Sequence, residues 1–310
     1  MRIPGVILYE AWHYCVLDSG RCQAFADAMT FLDYAARGKN NGWRYVLGWI
    51  LALSVGTVVA VVIAIPAVLL TGRPLEVAQQ MQSPQNPVLF FGFLALVFGA
   101  LLLGFVAVVP LLHGKTPRDI VGRWDWPGFF TGGLVWLAVL TVMTGIDYLL
   151  RPAGFTWTAE RLSVTAVAVT CLALAIQTFA EEYIFRGYLT QGLLLATKQP
   201  MTASLISGLI FGACHIPNGL PQAVWATFFG VVLALVAIRT GGLAFGFALH
   251  MVNNIFGAVV VVSDNDVFKN APALLTQRTP DLMWWDTVAG VLILTVAAVI
   301  VIRIAKPKPA

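Results

Sequence analysis

The chain has 310 residues, of which 59% are apolar and only 11% charged, against about 25% charged in a typical soluble domain. Together with a mean hydropathy of +0.82, this excludes an ordinary soluble domain and predicts an all-α, polytopic membrane protein. The net charge of +4 does not point to nucleic acid, because the basic residues form no run or stripe along which a phosphate backbone could lie.

The first segment, 1–42, carries scattered charges such as Glu10, Asp18, Arg21, Asp27 and Asp33, so a cleaved secretory signal is not expected and the first span serves as the insertion signal. Mixed apolar and polar positions over 8–38 fit an interfacial amphipathic helix. A hydrocarbon core of about 30 Å needs around 20 helical residues. Runs of that kind predict about eight transmembrane helices, near 45–71, 88–112, 128–150, 164–190, 201–217, 222–239, 241–262 and 284–303. Gly72-Arg73-Pro74 and Gly114-Lys115 stop the first two, and Arg303, Lys306 and Lys308 close the last.

Eight spans put both ends on one side. That side is cytoplasmic by the distribution of basic residues, since fourteen Lys and Arg then fall inside and five, Arg73, Arg151, Arg161, Lys269 and Arg278, outside. The expected location is a bacterial cytoplasmic membrane. The loop 263–283, with Asp264, Asp266 and Asp281, reads as a solvated connector.

Polar residues inside the later spans carry the functional signal. Glu181 and Glu182 sit in an apolar run with Arg186 just after them, and His215, His250 and Asn254 follow in later runs. A carboxylate at mid-span costs roughly 2.5 to 3.5 kcal/mol on insertion scales, so such groups face a cavity and serve a purpose. At about 1.5 Å rise per residue from the flanking turns, Glu181 lies roughly 25 Å and His215 roughly 22 Å above the inner side, with His250 at roughly 14 Å and Asn254 at roughly 20 Å. Separate helices therefore deliver polar groups to one layer.

Spacing then assigns parts. Glu182 and Arg186 are i and i+4 with the acid first, the favourable order for a helical ion pair, while Glu181 points about 100° away and stays free. Phe211 and His215 repeat the spacing, so the ring can restrain the imidazole. His250 and Asn254 repeat it again and could offer a ring nitrogen and an amide NH₂ to a developing oxyanion. Glu181 with His215 could hold and deprotonate a water aimed at a carbonyl and return the proton to the leaving amine. Peptide hydrolysis is the reaction such parts suit.

At these residues the chain resembles a known family. Phe179 to Arg186 is similar to the EExxxR motif, Phe211 to His215 to FxxxH, and His250 to Asn254 to HxxxN of the CAAX protease and bacteriocin-processing (CPBP, or Abi) intramembrane proteases. The resemblance covers about residues 164 to 262 and departs nowhere at the motif positions. It implies a catalytic core of helices 4–7 within 161–262; hydropathy places helices 1–3 before it in 43–160 and an outer loop and helix 8 after it in 263–310. The resemblance further implies Glu181 and His215 as the water-activating pair, His250 and Asn254 as the oxyanion site, and Glu182, Arg186 and Phe211 in support. The implied partners are membrane lipid and a membrane-bound or lipidated peptide. Relatives of this kind remove the last three residues of prenylated CaaX proteins or are associated with bacteriocin maturation and immunity.

Two alternatives stand beside that reading. Zinc could bind Glu181, His215 and His250, although no H-E-x-x-H pair is present and no cofactor is expected. A non-proteolytic transporter using the acids as a proton relay, or an immunity or scaffold protein, is the other. The remaining polar and small residues read structurally. Cys15, Cys22 and His13 lack a fourth ligand for a metal, and Cys214 points away from His215 on a helix. His113 and Asp147 read as interfacial, as do Trp124, Trp126, Trp284 and Trp285. Gly208 with Gly212, and Gly242 with Gly246, fit close helix packing.

Overall fold

The computed structural model describes residues 30–70, 72, 75–77, 79, 85–264, 266–278 and 282–304. Cys15, Cys22, His13, Arg73, Asp281, Lys306 and Lys308, and most of the expected interfacial helix, lie outside the described residues. The part of that helix that is described, α1 (Phe31–Ala36), opens on a capping box between Thr30 and Asp33. It does not present its apolar face to lipid. Phe31 is buried with Leu194, Ala203, Ala237 and Leu243, which docks α1 onto the protein.

The long helices begin and end on local chemistry. Helix α2 (Gly42–Leu70) buries only Gly48, Ala52 and Gly56 along its length. This stripe of small residues lets its backbone approach α3 (Pro87–Val108), where Gly104 faces Ala52. Asn86 caps α3 and Pro87 opens it; a π turn over Val109–His113 follows, closed by Gly114 in the left-handed region at φ 61°. A short α4 (Pro117–Val121) leads to α5 (Trp126–Leu150), capped by Asp125 on the Gly128 amide.

The fourth long apolar stretch is one continuous helical run in three parts. Helix α6 (Val164–Glu181) passes into a π-helical segment (Glu182–Leu189) and resumes as α7 (Thr190–Thr197). Two helices complete the antiparallel pair that follows, α8 (Pro200–Ala213) and α9 (Leu220–Thr240), and α10 (Ala244–Val259) and α11 (Leu282–Ile304) finish the chain. Helix α8 packs on α9, α5 on α10, α3 on α6, and α6 on α10. Large apolar side chains such as Val62, Leu134, Leu149 and Leu172 face outward, as a lipid-embedded surface requires.

Among the described residues five helical runs are long and apolar enough to cross a membrane: Gly42–Leu70, Pro87–His113, Trp126–Leu150, Val164–Thr197 and Leu220–Thr240. The protein is an all-α polytopic membrane protein, but eight full crossings do not follow. Helix α8 has 14 residues and α10 has 16, which give about 21 and 24 Å at 1.5 Å per residue, short of a hydrocarbon core. The expected run 201–217 stops at Ala213, because Pro217 and Gly219 turn the chain through a 3₁₀ segment at Ile216–Asn218. The run 241–262 ends where a strand begins.

That strand belongs to a feature the hydropathy pattern hides. Strands β1 (Phe155–Trp157), β2 (Val261–Ser263) and β3 (Leu275–Gln277) form a sheet in the order β1-β3-β2, with Phe155 opposite Gln277 antiparallel and Val261 beside Leu275 parallel. The segment 263–278 is therefore not a solvated connector. Ala271 and Ala273 are buried with Val262, Phe91 and Leu174, and burial raises the Asp266 carboxyl above its ordinary range despite the Phe268 amide it accepts.

Candidate active site

Helix α6 is oriented by Ser163, whose hydroxyl caps the Ala166 amide, and it carries Gln177 and Glu181 on a face turned toward α10. At Glu182 the chain widens to the π form, which alters the straight α-helical picture of the EExxxR stretch. The Phe185 carbonyl, which accepts the Thr190 amide, also accepts from Thr190 Oγ1 and Ser207 Oγ at 2.7 and 3.1 Å. Side chains from α7 and α8 thus hold the widened turn in place.

The π segment still brings Glu182 and Arg186 together. Arg186 Nη1 lies 3.2 Å from Glu182 Oε1, and the two side chains are 0% and 1% exposed. No guanidinium nitrogen forms an aligned hydrogen bond, so the contact is an electrostatic one, supplemented by the Phe211 ring 4.0 Å from the guanidinium carbon. The same Glu182 oxygen lies 2.8 Å from His250 Nδ1 on α10. Gly246, one turn earlier on α10, leaves room beside Glu182.

His215 does not sit on α8, as its position in the sequence suggests, but in the turn just past the helix end. Its Nδ1 lies 2.8 Å from the Phe211 carbonyl and its ring packs on Phe211 at 4.6 Å between centroids. A carbonyl only accepts, so Nδ1 carries the proton and Nε2 is the acceptor of the neutral ring. Phe211 thus restrains His215 through ring and backbone together. Cys214 is exposed.

Glu181, His215, His250 and Asn254 all line one cavity of about 280 Å³, whose walls also include the aromatic side chains of Phe90, Phe98 and Phe229. Within it Glu181 Oε2 has no hydrogen-bond partner, and His250 Nε2 is 3.6 Å from that oxygen. A second chamber of about 320 Å³ shares Gln222, Trp225, Asn253, Asn254 and Phe268 with the first and continues toward Asp147, Ser263 and Gln277. The sheet segment therefore contributes directly, through Val267 and Phe268, to the walls of the site.

Sequence reasoning passed over three residues here. Gln177 accepts from Asn254 Nδ2 at 3.0 Å, Asn253 donates to Asn254 Oδ1 at 3.2 Å, and Trp136 donates to Asn253 Oδ1 at 3.1 Å. Gln177 is a buried amide one turn before Glu181, so the signal that marks the acids marks it as well. His113 is not interfacial: it is buried, with Nδ1 at 2.8 Å from the Lys39 carbonyl and Nε2 at 2.8 Å from Tyr188 Oη. Asp147 pairs with Arg151 and accepts from Gln277 Nε2 at 2.8 Å, which ties α5 to the sheet. Gly208 and Gly212 do meet α9 closely, whereas Gly242 meets the Arg123 backbone of the loop after α4.

A multi-span helical bundle with a buried acidic and imidazole chamber defines an integral membrane protein with a polar site inside it. Residues 163–256 match the family described as Rce1-like, type II CAAX prenyl endopeptidase, and that stretch holds all three motifs. The resemblance carried by the motifs is thus borne out over those residues. The chain is also similar to the uncharacterized protein YyaK of Bacillus subtilis (strain 168), with 29% identity over 195 residues, which is 59% of this chain and 63% of YyaK. It therefore spans less than two-thirds of that relative's length. No solved structure matches the chain.

Proposed function

We propose that the protein is an intramembrane endopeptidase that hydrolyses a peptide bond of a membrane-anchored or lipidated substrate. The observation that carries this reading is the single cavity lined by Glu181, His215, His250 and Asn254, with Glu181 Oε2 buried and making no hydrogen bond. A water between Glu181 and His215 Nε2 loses a proton to Glu181 as its oxygen attacks the carbonyl carbon. The carbonyl π pair moves to oxygen and forms an oxyanion, which Asn254 and His250 stabilise. The C–N bond then breaks, and the amine leaves with the proton held by Glu181. Glu182 and Arg186 keep His250 in position.

No metal takes part in this scheme. Among the described residues no three His, Cys, Asp or Glu side chains are grouped to hold one. The substrate class is supported by the Rce1-like match and by a cavity set within apolar helices, where a lipid anchor would deliver the peptide. Cytoplasmic termini in a bacterial inner membrane are part of the proposal and rest on the distribution of Lys and Arg.

The test uses purified protein in liposomes with a quenched fluorogenic peptide bearing a farnesylated cysteine three residues from its C-terminus. Glu181→Ala and His215→Ala are expected each to lower cleavage by about 10²- to 10⁴-fold, the range for loss of a general base. Cleavage by the wild type should persist in a chelator. Unchanged cleavage in both variants would remove the proposal.

A further inference from the structure

The amide string beside Glu181 has a direction, and a residue at its far end imposes it. The indole Nε1 of Trp136 can only donate, and it lies 3.1 Å from Asn253 Oδ1. Asn253 must then turn its nitrogen toward Asn254 Oδ1, and Asn254 in turn points Nδ2 at Gln177 Oε1. Gln177 enters the string through its oxygen alone. Its NH₂ is left for the chamber, which the buried Gln177 side chain lines one turn before Glu181.

We propose that Gln177 is a further oxyanion donor, acting beside Asn254, and that Trp136 is the positioning residue that fixes the polarity of both amides. This inference rests on the hydrolase reading of the same chamber. Its chemical reason lies in His250: with Nδ1 committed to Glu182, that ring donates from Nε2 only as the imidazolium. Amide N–H groups need no protonation. They are neutral donors, held in place before the reaction by a chain that crosses α5, α10 and α6, which is the preorganisation an oxyanion site requires.

Three variants separate the roles, assayed on a peptide that reproduces a cleavage site whose appearance in membranes depends on Glu181. Gln177→Glu keeps the oxygen that accepts from Asn254 but removes the NH₂ donor, whereas Gln177→Met removes both. For each, kcat at neutral pH should fall about 10²- to 10³-fold with KM nearly unchanged, as for loss of one oxyanion donor. Relative to wild type at the same pH, Gln177→Glu should regain activity as pH falls, because a protonated carboxyl donates again. Gln177→Met should not. Trp136→Phe, at a residue that does not itself line the Glu181 chamber and with an aromatic ring kept against Trp225, should lower kcat by about tenfold with KM retained. If Gln177→Met fails to insert, the other two variants decide.

A kcat for Gln177→Glu within about threefold of wild type at every pH overturns the inference while leaving the hydrolase reading intact. If no Glu181-dependent cleavage occurs in membranes, the hydrolase reading itself fails and this inference fails with it.

Discussion

Nδ1 of His250 lies 2.8 Å from Oε1 of Glu182, and that same oxygen is the one 3.2 Å from Arg186 Nη1. One carboxylate oxygen therefore joins the two halves of the site, α6 with its π segment and α10. Glu182 cannot be an idle neighbour of Glu181. It fixes the imidazole that faces the chamber, while Arg186 offsets its charge in a place that water does not reach.

Breaking this pair has a cost that depends on how it is broken. Arg186→Met leaves a buried carboxylate beside His250 without its cation and is expected to destabilise the protein by about 3 to 5 kcal/mol. Replacing both partners, Glu182→Leu with Arg186→Met, should recover much of that loss, because no unpaired charge remains. Activity should not return, since His250 has lost its holder. Denaturant unfolding in mild detergent, run beside the cleavage assay, measures both effects.

The α8–α9 contact is set by glycine. A Cβ on Gly208 would lie 2.7 Å from the Val231 amide nitrogen and 2.8 Å from the Thr227 carbonyl, both backbone atoms that cannot swing aside. Gly208→Ala should push α8 off α9 at a cost of about 1 to 3 kcal/mol and displace His215, which the end of α8 positions. The expected result is a lower midpoint of unfolding and a fall in kcat larger than any change in KM. Gly145, also within a helix, has open space about it, and Gly145→Ala serves as the control that should lower neither the midpoint nor kcat.

Lys115 gives a pH dependence that is separate from catalysis. Its Nζ donates to the Ala35 carbonyl and to Tyr45 Oη, and burial lowers its pKa from the usual 10.5 to about 8. Between those values the unfolded chain binds a proton that the folded chain does not, so stability rises as pH climbs from about 8 to about 10.5. The gain is about 3 kcal/mol, and it is absent below pH 8. Lys115→Met should flatten this slope. Unfolding midpoints measured across the alkaline range in both proteins test it.

The parts of this fold that hydropathy governs were legible in the sequence. Long apolar runs stand where α2, α3, α5, the α6 run and α9 are found, and the pairing of Glu182 with Arg186 follows from their spacing. What escaped depends on tertiary contact. Nothing local marks the π segment at Glu182–Leu189, because one of the hydroxyls that hold its Phe185 carbonyl, that of Ser207, comes from another helix. The sheet escaped because its strands are three residues long and β1 pairs across more than a hundred positions. Carrying Asp264 and Asp266 made its last connection look solvated. The partner of His250 was equally out of reach, since helical spacing relates residues on one helix and says nothing of which acid a second helix will meet.

The most direct measurement is a comparison of peptide termini in membranes that contain the wild type or Glu181→Gln, a change that keeps shape and removes the base. A defined set of new termini in membrane-anchored proteins is expected with the wild type and lost with the variant, although both insert to the same level. Identical termini in the two membranes would contradict it.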